Sequence, residues 1–266
     1  MTGHPIGYRV GMTRALLMTS LGRIEAVDAL RGVAMLWMTA FHFCFDLNQF
    51  GHIQQNFYLD PFWTWQRSAI VSLFLGCAGL GQAIAVAQGQ SWPRFWRRWA
   101  QVAGCALLVT AGSWLMYPQS FIYFGVLHGM AVLLVIARLS AHWGRWLWLL
   151  GALALALPWA AQPLLAGALA PWAEQLNSPA LNWLGLITRK PVAQDYVPVL
   201  PWLGMVWWGI AAGQGLLRRD RLRRLEPQGS AGRRLAALGR WSLSYYMLHQ
   251  PVLIGALMAL AWVTGR

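Results

Sequence analysis

Apolar residues run along this chain in long stretches, broken by short basic or proline-rich ones. A helix crossing the hydrocarbon of a bilayer needs about 20 predominantly apolar residues. Seven stretches approach that length: 26–47, 62–87, 99–117, 121–139, 146–161, 200–217 and 241–263. Between the fifth and sixth lies a proline-rich, loop-like stretch, 163–198. Its segment 164–176 is too short for an eighth span and reads as an interfacial or kinked extension. The pattern predicts an all-α, polytopic membrane helical bundle of about seven transmembrane helices. No repeat relates the two halves, which argues against an inverted-repeat transporter.

Composition supports this reading. Hydrophobic residues make up 58% and charged residues 11%, whereas an ordinary soluble domain is roughly a quarter charged. A soluble globule could not cover so much apolar surface, and disorder is excluded on the same ground. The net charge of +13 would indicate nucleic acid in a soluble protein. Here the cations, all arginine except Lys190, sit between apolar runs and mark the cytoplasmic side, with no nucleic-acid partner implied. With the N-terminus inside, the inner ends receive Arg9, Arg14, Arg23, Arg94, Arg97, Arg98, Arg138, Arg145 and the eight arginines between 218 and 240. The outer ends hold only Arg67, Arg189, Lys190 and Arg266. This asymmetry places the N-terminus in the cytoplasm and the C-terminus outside. The arginine-rich stretch reads as a topology determinant that touches anionic lipids.

Residues 1–22 contain no long apolar run and no small-residue cleavage site, which argues against a signal peptide. They read as a cytoplasmic segment, with Met12 a candidate start, ahead of a single transmembrane domain over 23–266. Cys44, Cys77 and Cys105 lie in apolar stretches without metal spacing and read as small core side chains.

Ionisable groups inside a span are costly and mark function by default. The first span carries Asp28, Arg31, His42 and Asp46. The eleven residues from Arg31 to His42 turn a helix to within about 20° of whole turns and put the two roughly 16 Å apart on one stripe. Each has a carboxylate within a turn, Asp28 for Arg31 and Asp46 for His42. Asp28 and Arg31 also read as a structural ion pair near the inner interface. Counting rises from the expected boundaries places His42 and His128 at similar depth in the outer half. The same count leaves His249, beside Tyr245, Tyr246 and Gln250, lower and nearer Arg31. His128 and His249 read equally as buried histidines that pack helices together. A histidine beside a carboxylate suits general-base work, and an arginine nearer the cytoplasm suits an anionic or carbonyl-bearing donor.

Four stretches resemble one known family. Residues 23–51 read R-I-E-A-V-D-A-L-R-G-V-A-M-L-W-M-T-A-F-H-F-C-F-D-L-N-Q-F-G. With F-I-Y-F-G-V-L-H-G at 121–129, D-Y-V-P-V-L-P-W-L-G at 195–204 and G-R-W-S-L-S-Y-Y-M-L-H-Q-P-V at 239–252, they are similar to the small bacterial members of the heparan-alpha-glucosaminide N-acetyltransferase catalytic-domain family. The resemblance implies a transmembrane acyltransferase of the bacterial inner membrane that uses acetyl-CoA as acyl donor and an extracytoplasmic sugar or glycan as acceptor. Arg31 followed by His42 is also similar to the signature of the polysaccharide O-acyltransferases, whose histidine is the proposed base. In the heparan enzyme the catalytic histidine lies in the loop after the first span, and the histidine in that loop here is His52.

These readings give His42 as general base with Asp46 orienting it, and His52 and His128 as alternative bases. Arg31, His249 and Tyr245 would face the acyl-CoA. Direct transfer and an acyl-histidine intermediate both fit. Two other classes use the same residues: a proton-coupled transporter with a His and Asp relay, and a haem protein with His42 and His128 as axial ligands.

Overall fold

A computed structural model describes residues 23–219, 221 and 225–264. The expectations that fall on residues 1–22 and on Arg223, Arg224 and Arg266 lie outside the described residues. The described chain is helical: α1 Glu25–Gln49, α2 Pro61–Ala87, α3 Trp92–Met116, α4 Val126–Ser140, α5 Trp146–Ala166, α6 Ala170–Asn177, α7 Val199–Arg218, α8 Gly229–Arg240 and α9 Ser242–Thr264. Among the described residues, five segments are long and apolar enough to cross a membrane: α2, α3, α4 with the 3₁₀ turn that follows it to Trp143, α5 and α9.

Several boundaries differ from the apolar pattern. Helix α3 begins at Trp92 instead of 99, because Pro93 suits a first helical turn. Arg94, Arg97 and Arg98 therefore stand on helix and not in a loop. Helix α4 begins at Val126 instead of 121. Before it the chain turns, held where the Thr110 hydroxyl donates to the Ile122 carbonyl (2.8 Å) and the Ile122 N–H donates to Ser113 Oγ (2.9 Å). Helix α5 runs through Pro158 and Pro163 to Ala166. Buried neighbours re-satisfy freed backbone groups in such helices, so proline is a weaker stop there than in water. Helix α8 arises in the stretch read as a basic loop.

In lipid the tails are as apolar as leucine, so packing relies on close approach of small residues. Helix α7 lies between α2 and α5 by this means. A Cβ on Gly79 would strike the Val206 carbonyl, and one on Gly209 would strike the Gly76 carbonyl. Leu75, Leu133, Leu147, Val206 and Ile210 fill the core that results. Helix α8 approaches α1 in the same way, with Gly32 against Leu235 and Gly239 against Asp28. The order of these contacts makes α8 antiparallel to α1.

The arginine-bearing ends gather on one side. Arg138 donates to the Gln90 carbonyl and stacks 5.2 Å over Trp92. Arg240 pairs with Glu25 at 3.4 Å, and Gln214 Nε2 donates to the Ala141 carbonyl at 2.5 Å. At the other side Asp195 Oδ2 accepts from Val126 N–H at 2.7 Å, which caps α4 from a distant loop. Burial raises the Asp195 carboxyl above its ordinary value. The Val126 N–H, Arg67 and Lys190 oppose that shift.

Candidate functional site

Helix α1 carries ionisable groups at both ends, and its neighbours treat them differently. At the arginine-rich end Asp28 is 2% exposed. Its carboxylate accepts from Arg23 Nε at 2.5 Å, from Arg23 Nη2 at 3.3 Å and from Arg31 Nη1 at 3.1 Å. Arg31 Nη2 reaches the Cys77 carbonyl of α2 at 3.5 Å, alongside Gly81, where any side chain would collide with the guanidinium. Charge-assisted bonds of this kind offset the cost of taking a carboxylate out of water.

The other end is built from α1 and α9, which run parallel because 39, 42 and 46 meet 245, 249 and 250 in order. The Thr39 hydroxyl donates to the Met35 carbonyl (2.9 Å), so the Tyr245 hydroxyl at 2.7 Å donates to Thr39. His42 Nδ1 stands 2.8 Å from His249 Nε2. The two rings are near coplanar, at 16°, with centroids 5.0 Å apart, so they meet edge to edge. His249 Nδ1 lies 2.6 Å from the Tyr246 carbonyl.

This chain assigns the tautomers. A carbonyl only accepts, so His249 carries its proton on Nδ1 and its Nε2 accepts. His42 must then donate from Nδ1, and its proton-accepting atom is Nε2. Asp46, 3% exposed, does not hold His42 directly. Its Oδ1 accepts from Gln250 Nε2 at 2.7 Å, and the Gln250 amide also lies against the His42 ring. Asp46 Oδ2 and Gln250 Oε1 are buried without a hydrogen bond of ordinary geometry.

The remaining candidates are placed elsewhere. His128 does not meet His42. Its Nδ1 accepts from Gly125 N–H at 3.3 Å, and its Nε2 stands 2.9 Å from Thr110 Oγ1. Thr110 already donates to Ile122, so His128 donates to Thr110 and both ring nitrogens serve the start of α4. In this arrangement His42 is bonded to His249, and both His128 nitrogens are engaged at the start of α4 and not in the axial-ligand role that a bis-histidine haem would give them. His52 is exposed in the loop after α1. Tyr245 stacks parallel to His249, with centroids 6.1 Å apart, on the opposite end of α1 from Arg31.

The depth count fails for His249 because it starts α1 and α9 at a common boundary. Helix α8 folds back over α1 between Asp28 and Gly32 and lifts the start of α9 along α1. Gln250 was missed as the residue that holds Asp46. Its position, four residues after Tyr246 and beside His249, is the signal that was present.

No curated protein and no solved structure matches the chain. Residues 23–251, most of the chain, match the family described as heparan-alpha-glucosaminide N-acetyltransferase, catalytic, and the chain belongs to that membrane acetyltransferase family.

Proposed function

We propose that this protein transfers an acetyl group from acetyl-CoA on the cytoplasmic side to a sugar or glycan outside, with His42 as general base. The observation that carries this reading is the chain from the Tyr246 carbonyl through His249 to His42, which leaves His42 Nε2 to receive a proton. His249 takes the orienting role that the sequence assigned to Asp46. Asp46 acts one step further back, by holding the Gln250 amide against the ring.

The topology follows from the arginine-rich side. With that side inside, α1, α2, α3, α4, α5, α7 and α9 make seven crossings, the N-terminus is cytoplasmic and the C-terminus outside, in the inner membrane of a bacterium. Residues 23–266 act as one transmembrane unit. The phosphates of acetyl-CoA meet the inner arginines, and Arg31 stands on the path of the pantetheine towards His42. The acceptor enters from the loop-bearing side. His42 Nε2 takes its proton as the oxygen or nitrogen attacks the thioester carbonyl, and the departing thiolate receives that proton. Well-placed general bases contribute about 10²- to 10⁴-fold in rate.

Proteoliposomes oriented with the arginine-rich face outward test this reading. Labelled acetyl-CoA is added outside, and a mixture of bacterial envelope glycans is enclosed. Label on the enclosed glycan, lost in His42→Ala, is the expected result. Accumulation of unmodified solute driven by a proton gradient, with no label transferred, would favour transport and overturn the proposal.

A further inference from the structure

Helix α8 joins the arginine-rich side to the pair of histidines. At about 100° per residue, Leu235, Ala236, Leu238 and Gly239 share about 160° of its circumference, and Arg233, Arg234 and Arg240 occupy the rest. The first arc makes contact. Ala236 and Gly239 are buried, Gly239 meets the Asp28 backbone, and a side chain on Gly32 would strike the Leu235 carbonyl. Leu238 packs against Met35, Met38 and Ile70, the cluster that also holds Tyr245 and Tyr246. Tyr246 supplies the carbonyl that fixes the His249 tautomer. Helix α9 begins two residues after α8 ends. A displacement of α8 therefore reaches His249 both along the chain and through Leu238.

The second arc is exposed. The carboxylates around it already have partners: Glu25 pairs with Arg240 at 3.4 Å, Asp28 pairs with Arg23 and Arg31, and Glu226 accepts from the N–H groups of Glu25 and Ala26. Among the described residues Arg233 and Arg234 form no ion pair. Exposed Arg218 and Arg219 extend the patch from the end of α7, whose Leu216 and Leu217 pack against Ile24 and Val27 at the start of α1. Trp241, 70% exposed, follows Arg240 directly. An amphipathic helix with a basic face and a tryptophan at its end suits the headgroup layer of a bilayer. The cytoplasmic leaflet is the one whose surface is negative.

The geometry points to a regulatory docking face: Arg233 and Arg234, with Arg218 and Arg219, bind the phosphates of anionic phospholipids in the inner leaflet, and this contact holds α8 where His249 meets His42. For its rate readout the inference rests on the acyl-transfer reading above. A lipid shifts an equilibrium only by binding one arrangement better than another. The packed arrangement presents four arginines to one leaflet together, whereas a displaced α8 separates its pair from the pair on α7. Anionic lipid thus favours the packed state and the histidine contact that depends on it.

The test reconstitutes the full chain in nanodiscs of phosphatidylcholine with and without phosphatidylglycerol. Two quantities are read: deuterium exchange of the amides over 229–250, and acetyl transfer from acetyl-CoA. Phosphatidylglycerol should slow that exchange at least tenfold and raise kcat, with the KM for acetyl-CoA within twofold. The double variant Arg233→Gln, Arg234→Gln should lose both responses. The double variant Arg233→Lys, Arg234→Lys should keep them, because headgroup attraction reads charge. Equal exchange and rate in the two membranes, or responses that survive in the glutamine variant, would overturn the docking face. A raised KM for acetyl-CoA in that variant with the lipid responses intact would assign these arginines to the donor and overturn it as well. Slowed exchange that the glutamine variant loses, without acetyl transfer in either membrane, would instead overturn acyl transfer and leave the docking face standing.

Discussion

The two ends of α1 handle buried polar groups in opposite ways. Around Asp28 full charges meet full charges, and each carboxylate oxygen has a donor. Around His42 the contacts run ring to ring, hydroxyl to hydroxyl and amide to carboxylate, and two buried oxygens lack a donor. A buried polar atom left unpaired costs about 1–3 kcal/mol, so the second end is less stable than it could be. On the proposed function the difference separates anchoring from chemistry. The first cluster ties α1 to α2 and is complete, while the second retains unused hydrogen-bonding capacity.

Filling the α1–α8 contact should break the comparison most severely, because both ends depend on where α8 sets α9. Gly32→Val would drive a side chain into the Leu235 backbone. It should cost about 3 kcal/mol, at the upper end of overpacking, read as lost folded protein after detergent extraction. Next, His249→Ala should lower kcat about 100-fold with acetyl-CoA binding intact, since it removes only the group that fixes the His42 tautomer. Steady-state rates beside a binding titration separate the two effects. Asp28→Ala should do the reverse. It should lower thermal stability by about 2 kcal/mol, because Arg31 loses its counter-ion, and leave turnover per folded molecule within threefold.

Asp195 sharpens the comparison from the loop side. Burial raises its carboxyl above the ordinary 3.8, so the folded state holds the proton better than the unfolded chain does. Stability from this group is full below pH 3.8 and falls as pH rises through the folded value. Asp195→Asn keeps an oxygen for Val126 N–H and should flatten that decline in melting curves taken across pH. The smallest effect belongs to Arg23→Ala. Its side chain is 56% exposed, and Asp28 keeps Arg31, so the melting shift should correspond to less than about 0.5 kcal/mol.

The helical membrane class was legible because apolar runs of membrane length show in sequence whatever they pack against. Ion-pair spacing was legible too, since Asp28 and Arg31 share a helix and a rotation of 300° is set by geometry alone. What joins separate helices was not. His42 and His249 meet through a register that α8 sets, and α8 was hidden because Arg233, Arg234 and Arg240 read as loop. Gly232, Leu235, Ala236 and Gly239 give that segment an apolar face at helical spacing, the pattern that would have revealed it. The start of α4 was missed for a simpler reason. Phe121 to Gly125 are as apolar as a span, and composition does not distinguish a turn held by Thr110 and Ser113 from the helix after it.

The most direct measurement is the single-turnover rate of acetyl transfer by purified His42→Ala against wild type, with acetyl-CoA affinity measured on the same samples. A general base at His42 Nε2 predicts a loss of at least 100-fold with donor affinity within twofold. Transfer at the wild-type rate would contradict it.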